Sequence, residues 1–236
     1  MENITDVNDK SEQKKFFIAT PTYDGKVHAH YMTSIVDLCG LLSNIGYEPM
    51  LNVASGGALL AANRNKMLQL FWNSGAEYLL FVDSDLGFNS MQILNLIQSK
   101  KDISGGLYPT RDGKKYNFIP DVEEDGRIKF CKETNLLKML NIPAGFMLIS
   151  RHGVEVLFNK FENLKYKDVI ASNDIEDIHC IFNTELENGH FWGEDYTFCK
   201  RVHEAGLDIW IDPTIEFNHA GIIGRFLDIL TDKKPE

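Results

Sequence analysis

No stretch of this chain approaches the roughly 20 consecutive apolar residues that a bilayer-spanning helix requires, so no membrane span is expected. Residues 1–15 are polar and lack the apolar centre of a secretory signal; they are expected to form a disordered lead-in. Cysteine is scarce. Cys39, Cys131, Cys180 and Cys199 are scattered, with neither a CxxC pair nor zinc-ligand spacing, which points to four free thiols in a reducing compartment. Positive charge is short as well: 24 Lys and Arg stand against 34 Asp and Glu, a formal net charge of −10. That balance argues against a nucleic-acid backbone or an anionic membrane surface as the main partner. Internal repeats and low-complexity linkers are also missing. A soluble, cytoplasmic protein is the expectation.

What is present is ordinary globular material. Hydrophobic residues make up 44% and charged residues 25% of 236 positions, enough for one substantial α/β domain. The apolar run Phe16–Ala19 reads as a buried strand stopped by Thr20-Pro21-Thr22-Tyr23-Asp24-Gly25. Helical spacing follows from His28 to Ile45, a second strand over Glu48–Val53, and a helix from Leu59 to Ser74 after the Ser55-Gly56-Gly57 break. Tyr78-Leu79-Leu80-Phe81-Val82 is a continuous apolar run, the mark of a strand covered on both faces. A helix over Ser90–Ser99 and a strand over Asp102–Pro109 complete an alternation that predicts a parallel sheet with helices on both faces.

The second half is less periodic. Arg111–Asn141 reads as a charged loop with a hairpin at Glu124-Asp125-Gly126, then a strand over Ala144–Ile149 and a helix over His152–Phe158. Lys160–Leu186 shows little pattern. A helix from Gly193 to Ala205 and a strand over Leu207–Ile211 close the reading. The expectation is a single domain over 16–236, with halves at 16–110 and 111–236.

Asp83-Ser84-Asp85 ends the strongest strand. Two carboxylates this close repel and resist desolvation unless a cation or proton sits between them. Hard oxygen ligands suit Mg²⁺ or Mn²⁺ bridged to substrate phosphates, and the carboxyl ends of parallel strands are where open α/β sheets bind ligands. A solvated turn is the plain alternative. Trp192-Gly193-Glu194-Asp195 opens a helix, where the macrodipole alone would favour carboxylates; functionally, Glu194 or Asp195 could act as general base on an acceptor hydroxyl, with Phe191 and Trp192 as a sugar-stacking wall. His219 follows the last strand and could complete a metal shell if the fold brings it to the aspartates. Thr20, Pro21, Thr22 and Tyr23 sit at the carboxyl end of the first strand, where Tyr23 could stack on a nucleobase. Arg64, in a helix otherwise facing the core, could reach a base or phosphate, or lie on a solvated face. His28 and His30 read as loop or helix-start residues.

Together these segments resemble the GT-A glycosyltransferases, in particular the small glycosyltransferase-2-like enzymes of bacteria and large DNA viruses. Thr20-Pro21-Thr22-Tyr23 resembles the family's nucleotide loop, Ala62-Asn63-Arg64-Asn65 its Arg-Asn segment, and Phe81-Val82-Asp83-Ser84-Asp85 its DxD strand. Gly105-Gly106-Leu107-Tyr108-Pro109 is similar to the next strand, Pro143–Ile149 to the acceptor-side strand, and Gly193-Glu194-Asp195 to the acidic motif. The resemblance implies an α/β GT-A (Rossmann-like) fold: a mostly parallel central sheet with helices on both faces, a nucleotide-binding half and a smaller acceptor-binding region. It also implies Mn²⁺ or Mg²⁺ and a nucleotide-sugar, expected to be a UDP-sugar with GDP or dTDP as alternatives. Asp83 would contact ribose or metal, Ser84 would sit within the motif, Asp85 would ligate the metal and His219 would complete the shell. Asp195 or Glu194 would serve as base in an inverting reaction on a glycan or other acceptor; retaining relatives leave the stereochemistry open. The rival readings are a non-catalytic sugar-nucleotide binder and a DxD phosphatase. The latter would want its aspartate pair on the first strand, whereas this pair lies on the third.

Overall fold

A computed structural model describes residues 13–55, 59–167 and 177–231. The first half runs β1 (Lys14–Pro21), α1 (Ala29–Asn44), β2 (Tyr47–Ala54), α2 (Leu60–Ser74), β3 (Tyr78–Val82), β4 (Leu86–Phe88), α3 (Ile93–Ser99) and β5 (Ile103–Gly105). The second half supplies β6 (Ile119–Pro120), β7 (Phe130–Cys131), β8 (Leu136–Asn141), β9 (Phe146–Ser150) and α4 (Arg151–Lys160). Next come β10 (Lys165–Tyr166), β11 (Ile178–His179), β12 (Glu185–Glu187), β13 (His190–Trp192) and α5 (Glu194–Glu204). The last elements are β14 (Ile209–Ile211), β15 (Glu216–His219), β16 (Ile222–Arg225) and α6 (Phe226–Leu230).

The class is α/β. The central sheet has the order β2-β1-β3-β9-β5-β14-β8-β6, with β7 also on β8. Strands β2, β1, β3, β5 and β14 share one direction, as the alternating pattern predicts, while β9 and β8 run against their neighbours. The mostly parallel sheet that was expected is present, with antiparallel β9 inserted between β3 and β5. A continuous apolar run carries no direction, so Phe146–Ser150 reads the same either way. The loop reading of Arg111–Asn141 is corrected: β6, β7 and β8 form an antiparallel end to the sheet. Its predicted hairpin is present, with Gly126 N–H donating to Glu123 O at 2.9 Å.

Several boundaries differ from expectation. Lys14 and Lys15 belong to β1 rather than to the lead-in, whose residues 1–12 lie outside the described set, as do 56–58 and 168–176. The helix predicted from Ser90 begins as a 3-10 turn, Ser90–Gln92, capped by Asn89. The strand predicted over Asp102–Pro109 stops at Gly105.

Strand alternation divides the core. Phe17, Ala19, Leu79, Phe81, Met147 and Ile149 face α2, α4 and α5. Phe16, Ile18, Leu80, Val82, Phe146 and Leu148 face α1 and α3. Because both faces of β3 are covered, polar residues cannot alternate along it. The open edge is β2, which carries Pro49 and exposes Leu51 and Val53.

Two features of this topology assemble a cleft at the carboxyl end of β3. Antiparallel β9 starts there, so Gly145 O accepts from Asp83 N–H at 2.8 Å. Separately, β4, β15 and β16 form a small sheet in which His219 pairs in register with Leu86. That pairing returns the far end of the chain to the residue after Asp85.

Candidate active site

The two aspartates of Asp83-Ser84-Asp85 do not face a common partner. The chain turns after Val82, with Leu86 N–H donating to Asp83 O at 3.1 Å, so the carboxylates diverge. Asp83 faces Arg64: Nη2 donates to Oδ1 at 2.9 Å, while Nη1 donates to Ala144 O at 3.1 Å. Arg64 shares a helix stripe with Met67, Leu68 and Phe71, which explains its 2% exposure and rules out the solvated-face alternative. Its guanidinium lies 5.2 Å from the Phe81 ring centroid, a cation–π contact in a buried setting. Asn65, next to it, clamps the Phe182 backbone with two hydrogen bonds of 2.8 and 2.7 Å.

Tyr108 and Gly145 complete this side. Burial, then the charge on Asp83, pushes the Tyr108 hydroxyl well above its ordinary range, so it remains a proton donor. A Cβ on Gly145 would overlap both the Tyr108 hydroxyl and Asp83 Oδ2. Gly145→Ala is therefore expected to cost about 1–3 kcal/mol, as overpacking does; thermal unfolding measures it.

Asp85 faces the opposite way, with only 5% of its surface exposed. His219 Nε2 lies 3.3 Å from its Oδ2, and Arg111 reaches the same oxygen through Nη2 at 2.6 Å and Nε at 2.9 Å. Burial pushes the Asp85 carboxyl up, but hydrogen bonding and charge from His219 and Arg111 outweigh it and hold it at about 2. Burial pulls the His219 ring down, yet Asp85 and the Pro109 carbonyl raise it overall. His219 Nδ1 donates to Pro109 O at 2.6 Å. His30 Nε2 meets Asp85 O at 2.9 Å, and His28 N–H donates to Ser84 O at 2.9 Å. The two histidines sit at the start of α1, as expected, and tie down the turn that carries the aspartates.

The donor set suits a hard divalent cation bound by few protein groups. Such ions take one or two carboxylates and leave the remaining positions to water and phosphate. A ligating histidine commonly donates its other ring N–H to a backbone carbonyl, which is what Nδ1 does with Pro109. Among the described residues, no group of three His, Cys, Asp or Glu side chains could hold a metal ion. Asp85 and His219 lie together, Oδ2 to Nε2 at 3.3 Å, while Asp83 is turned toward Arg64.

The first-strand residues are less free than the sequence suggests. Thr20 Oγ1 hydrogen-bonds the Tyr31 hydroxyl at 2.5 Å, and Pro21 is buried beside it. Thr22 Oγ1 donates to Ala54 O at 2.8 Å and accepts from Gly25 N–H at 3.0 Å. Both hydroxyls therefore serve the turn itself. Tyr23, 79% exposed, is the side chain of the four that stands open to a ligand.

Glu194 and Asp195 occupy the first turn of α5 but differ in company. Glu194 Oε1 lies 3.5 Å from Arg64 Nε, whereas Asp195 Oδ1 accepts from the adjacent Tyr196 N–H at 2.8 Å. Burial, then the neighbouring Glu194 charge, raises the Asp195 carboxyl from 3.8 to about 6. Arg64, Asp83, Tyr108, Gly145, Asp195 and His219 line one cleft of about 230 Å³. Asp195 also borders a cavity of about 590 Å³ walled by Phe191, Trp192 and Tyr196. The β12–β13 hairpin that carries this wall turns on Asn188 and Gly189, both with positive φ (51° and 78°).

Arg111, Tyr108 and Gly145 were given no individual role in the sequence, and His30 was read as a loop or helix-start residue. The signal for the first three lay in motif ends: Tyr108 closes Gly105-Gly106-Leu107-Tyr108-Pro109, Gly145 opens the acceptor-side strand, and Arg111 begins an Arg-Asp-Gly turn just beyond Pro109.

No family model and no curated protein matches this chain. Solved structures similar to it include a Drosophila β-1,4-galactosyltransferase 7 mutant in complex with manganese, UDP-Gal and xylobiose, with TM-score 0.46 and 15% identity, covering 94% of this chain and 74% of that one. Staphylococcus aureus TarS residues 1–349 give TM-score 0.43 at 14% identity, over 84% of this chain and 58% of that one. HddC from Yersinia pseudotuberculosis complexed with GMP-PN gives 0.34 at 9% identity, over 89% of this chain and 95% of that one. Similarity at this level says nothing about residues or substrates; the fold class rests on strand order and register.

Proposed function

We propose that this chain is a metal-dependent glycosyltransferase that moves a sugar from a nucleotide-sugar, expected to be a UDP-sugar, to a hydroxyl of a glycan or other acceptor. One arrangement carries the reading: Asp83, His219 and Asp195 open on a single cleft, with Asp85 against His219. That shared cleft supports reading Asp83 and His219 as part of a diphosphate site and Asp195 as a base for an acceptor hydroxyl, which a solvated aspartate turn or a simple helix cap would not require.

Asp85 and His219 would hold Mn²⁺ or Mg²⁺, which when bound neutralises charge on the departing nucleoside diphosphate. Arg64 fixes the Asp83 carboxylate, leaving its second oxygen for ribose. The neutral Tyr108 hydroxyl adds a hydrogen-bond donor to the cleft. Asp195 takes the proton of the acceptor hydroxyl as that oxygen bonds to the anomeric carbon and the bond from carbon to diphosphate breaks. Phe191 and Trp192 hold the acceptor at the mouth. Among the described residues the Trp192 indole N–H is buried without a hydrogen-bond partner. Cys39, Cys131, Cys180 and Cys199 are all free, in keeping with a reducing, cytoplasmic setting; no helix among the described residues is long and apolar enough to cross a membrane.

The test is UDP release from a panel of UDP-sugars with Mn²⁺ and glycan acceptors. Release is expected to depend on the cation and to fall at least about 100-fold in Asp85→Asn, since even outer-shell changes at metal sites cost 10–100-fold. Unchanged release in a folded Asp85→Asn protein removes the metal assignment. Tight calorimetric binding of UDP-sugars without turnover on any acceptor would instead identify a non-catalytic sugar-nucleotide binder.

A further inference from the structure

Asp85 presents an unequal pairing. Its carboxylate is almost wholly buried, whereas the Arg111 side chain that grips its Oδ2 is 73% exposed. Arg111 stands at the start of a tight turn: Gly113 N–H donates to Thr110 O at 2.7 Å, Thr110 Oγ1 to Asp112 Oδ1 at 2.6 Å, and Thr110 N–H to Lys115 O at 2.8 Å. The turn backbone is thus fixed while its largely exposed arginine reaches back to Asp85, beside the Thr110 that lines the cleft. The segment before it matters too, because Pro109 O orients His219. Residues 109–111 therefore set the ring of one candidate ligand and cover the oxygen of the other.

A buried carboxylate needs a counter-charge at all times. Arg111 supplies it in the free chain, through both Nε and Nη2 on one oxygen. A divalent cation held by Asp85 and His219 would compete with the guanidinium for Oδ2, the carboxylate oxygen that faces the His219 ring. Once displaced, the guanidinium remains tethered at the cleft rim, where Thr110 already lines the wall. A planar guanidinium prefers paired oxygens of phosphate or carboxylate.

We propose that Arg111 is an exchangeable counter-ion: it occupies Asp85 in the free protein, yields that oxygen to the divalent cation, and transfers to the diphosphate of the incoming nucleotide. The proposal rests on the metal–diphosphate reading of this cleft. Arg111 is then a positioning residue that opposes binding of the cation alone and favours binding of cation and nucleotide together.

The experiment is isothermal titration of Mn²⁺ alone, and of UDP in saturating Mn²⁺, into the full chain and its Arg111→Ala, Arg111→Lys and Asp85→Asn variants. Arg111 is exposed, and circular dichroism checks that each variant is folded. In Arg111→Ala, Mn²⁺ alone is expected to bind about 10-fold more tightly, and UDP with Mn²⁺ about 10-fold or more weakly, as for loss of a charge-assisted pair. Arg111→Lys is expected to lie between, keeping charge but not the paired geometry. A residue that merely held the turn together would weaken both titrations. Opposite signs support the exchange; equal signs, or no change in either, overturn it while leaving the site reading intact if Asp85→Asn abolishes Mn²⁺ binding. If the unaltered chain binds neither Mn²⁺ nor UDP, the site reading falls and the exchange falls with it.

Discussion

Asparagine at position 195 is expected to lower kcat by about 10²–10⁴-fold, the contribution of a positioned general base, while leaving UDP affinity unchanged. The expectation is specific to Asp195, because the neighbouring Glu194 carboxylate is already engaged by Arg64 at 3.5 Å. The raised Asp195 carboxyl, at about 6, also fixes the pH dependence. A base must be ionised, so kcat/KM should rise with pH through about 6 and level off above it. Stability moves in the opposite direction. Between the ordinary value of 3.8 and about 6 the folded chain binds more protons at this group than the unfolded one, so its contribution declines as pH rises through that window. Initial rates of UDP release across this range, with unfolding midpoints measured in the same buffers, read both trends. Survival of both the wild-type rate and the acid limb in Asp195→Asn would remove the base assignment.

The second large effect is on stability. Arg64→Met keeps length and packing volume but deletes the cation that neutralises Asp83 and Glu194. Breaking a buried pair by removing one partner typically costs 3–5 kcal/mol. The lower end applies here, because Asp83 and Glu194 keep 31% and 19% side-chain exposure and can gather water. About 3 kcal/mol corresponds to a fall in Tm of roughly 6–12 °C for a chain of this size, measurable by calorimetry. Combining it with Asp83→Asn should recover part of the loss, since the unpaired charge is then gone. A Tm within about 2 °C of the parent would mean that Arg64 is not the internal counter-charge of the cleft.

Much of the frame was legible because it depends on local pattern. Tyr78–Val82 reads as a covered strand, and Asp83-Ser84-Asp85 stands out because carboxylates at such an end are costly. Arg64 was visible as a misfit on a core-facing helix. Its partners were not, since Asp83 and Ala144 lie 19 and 80 residues away and only the sheet order joins them. The direction of β9 and the β15–β16 hairpin were hidden for the same reason: they are facts about pairing, not about composition. Thr20 and Thr22 show the converse. Hydroxyls at a strand end look available in sequence, but Tyr31 and Ala54 consume them in the fold. Glu194 and Asp195 were equivalent as letters and became distinct only through the guanidinium beside one of them.

The open edge at β2 has a consequence for solution behaviour. An eight-residue strand with no neighbour on one side among the described residues is a template for strand addition by another chain, and Leu51 and Val53 add apolar adhesion to it. Pro49 interrupts that template, because its nitrogen carries no hydrogen to donate. The other safeguard is electrostatic repulsion from the net charge of −10, which vanishes near the isoelectric point of 5.2. Light scattering across pH 4–8 is expected to show association rising as the pH falls toward about 5.2, where the net charge vanishes.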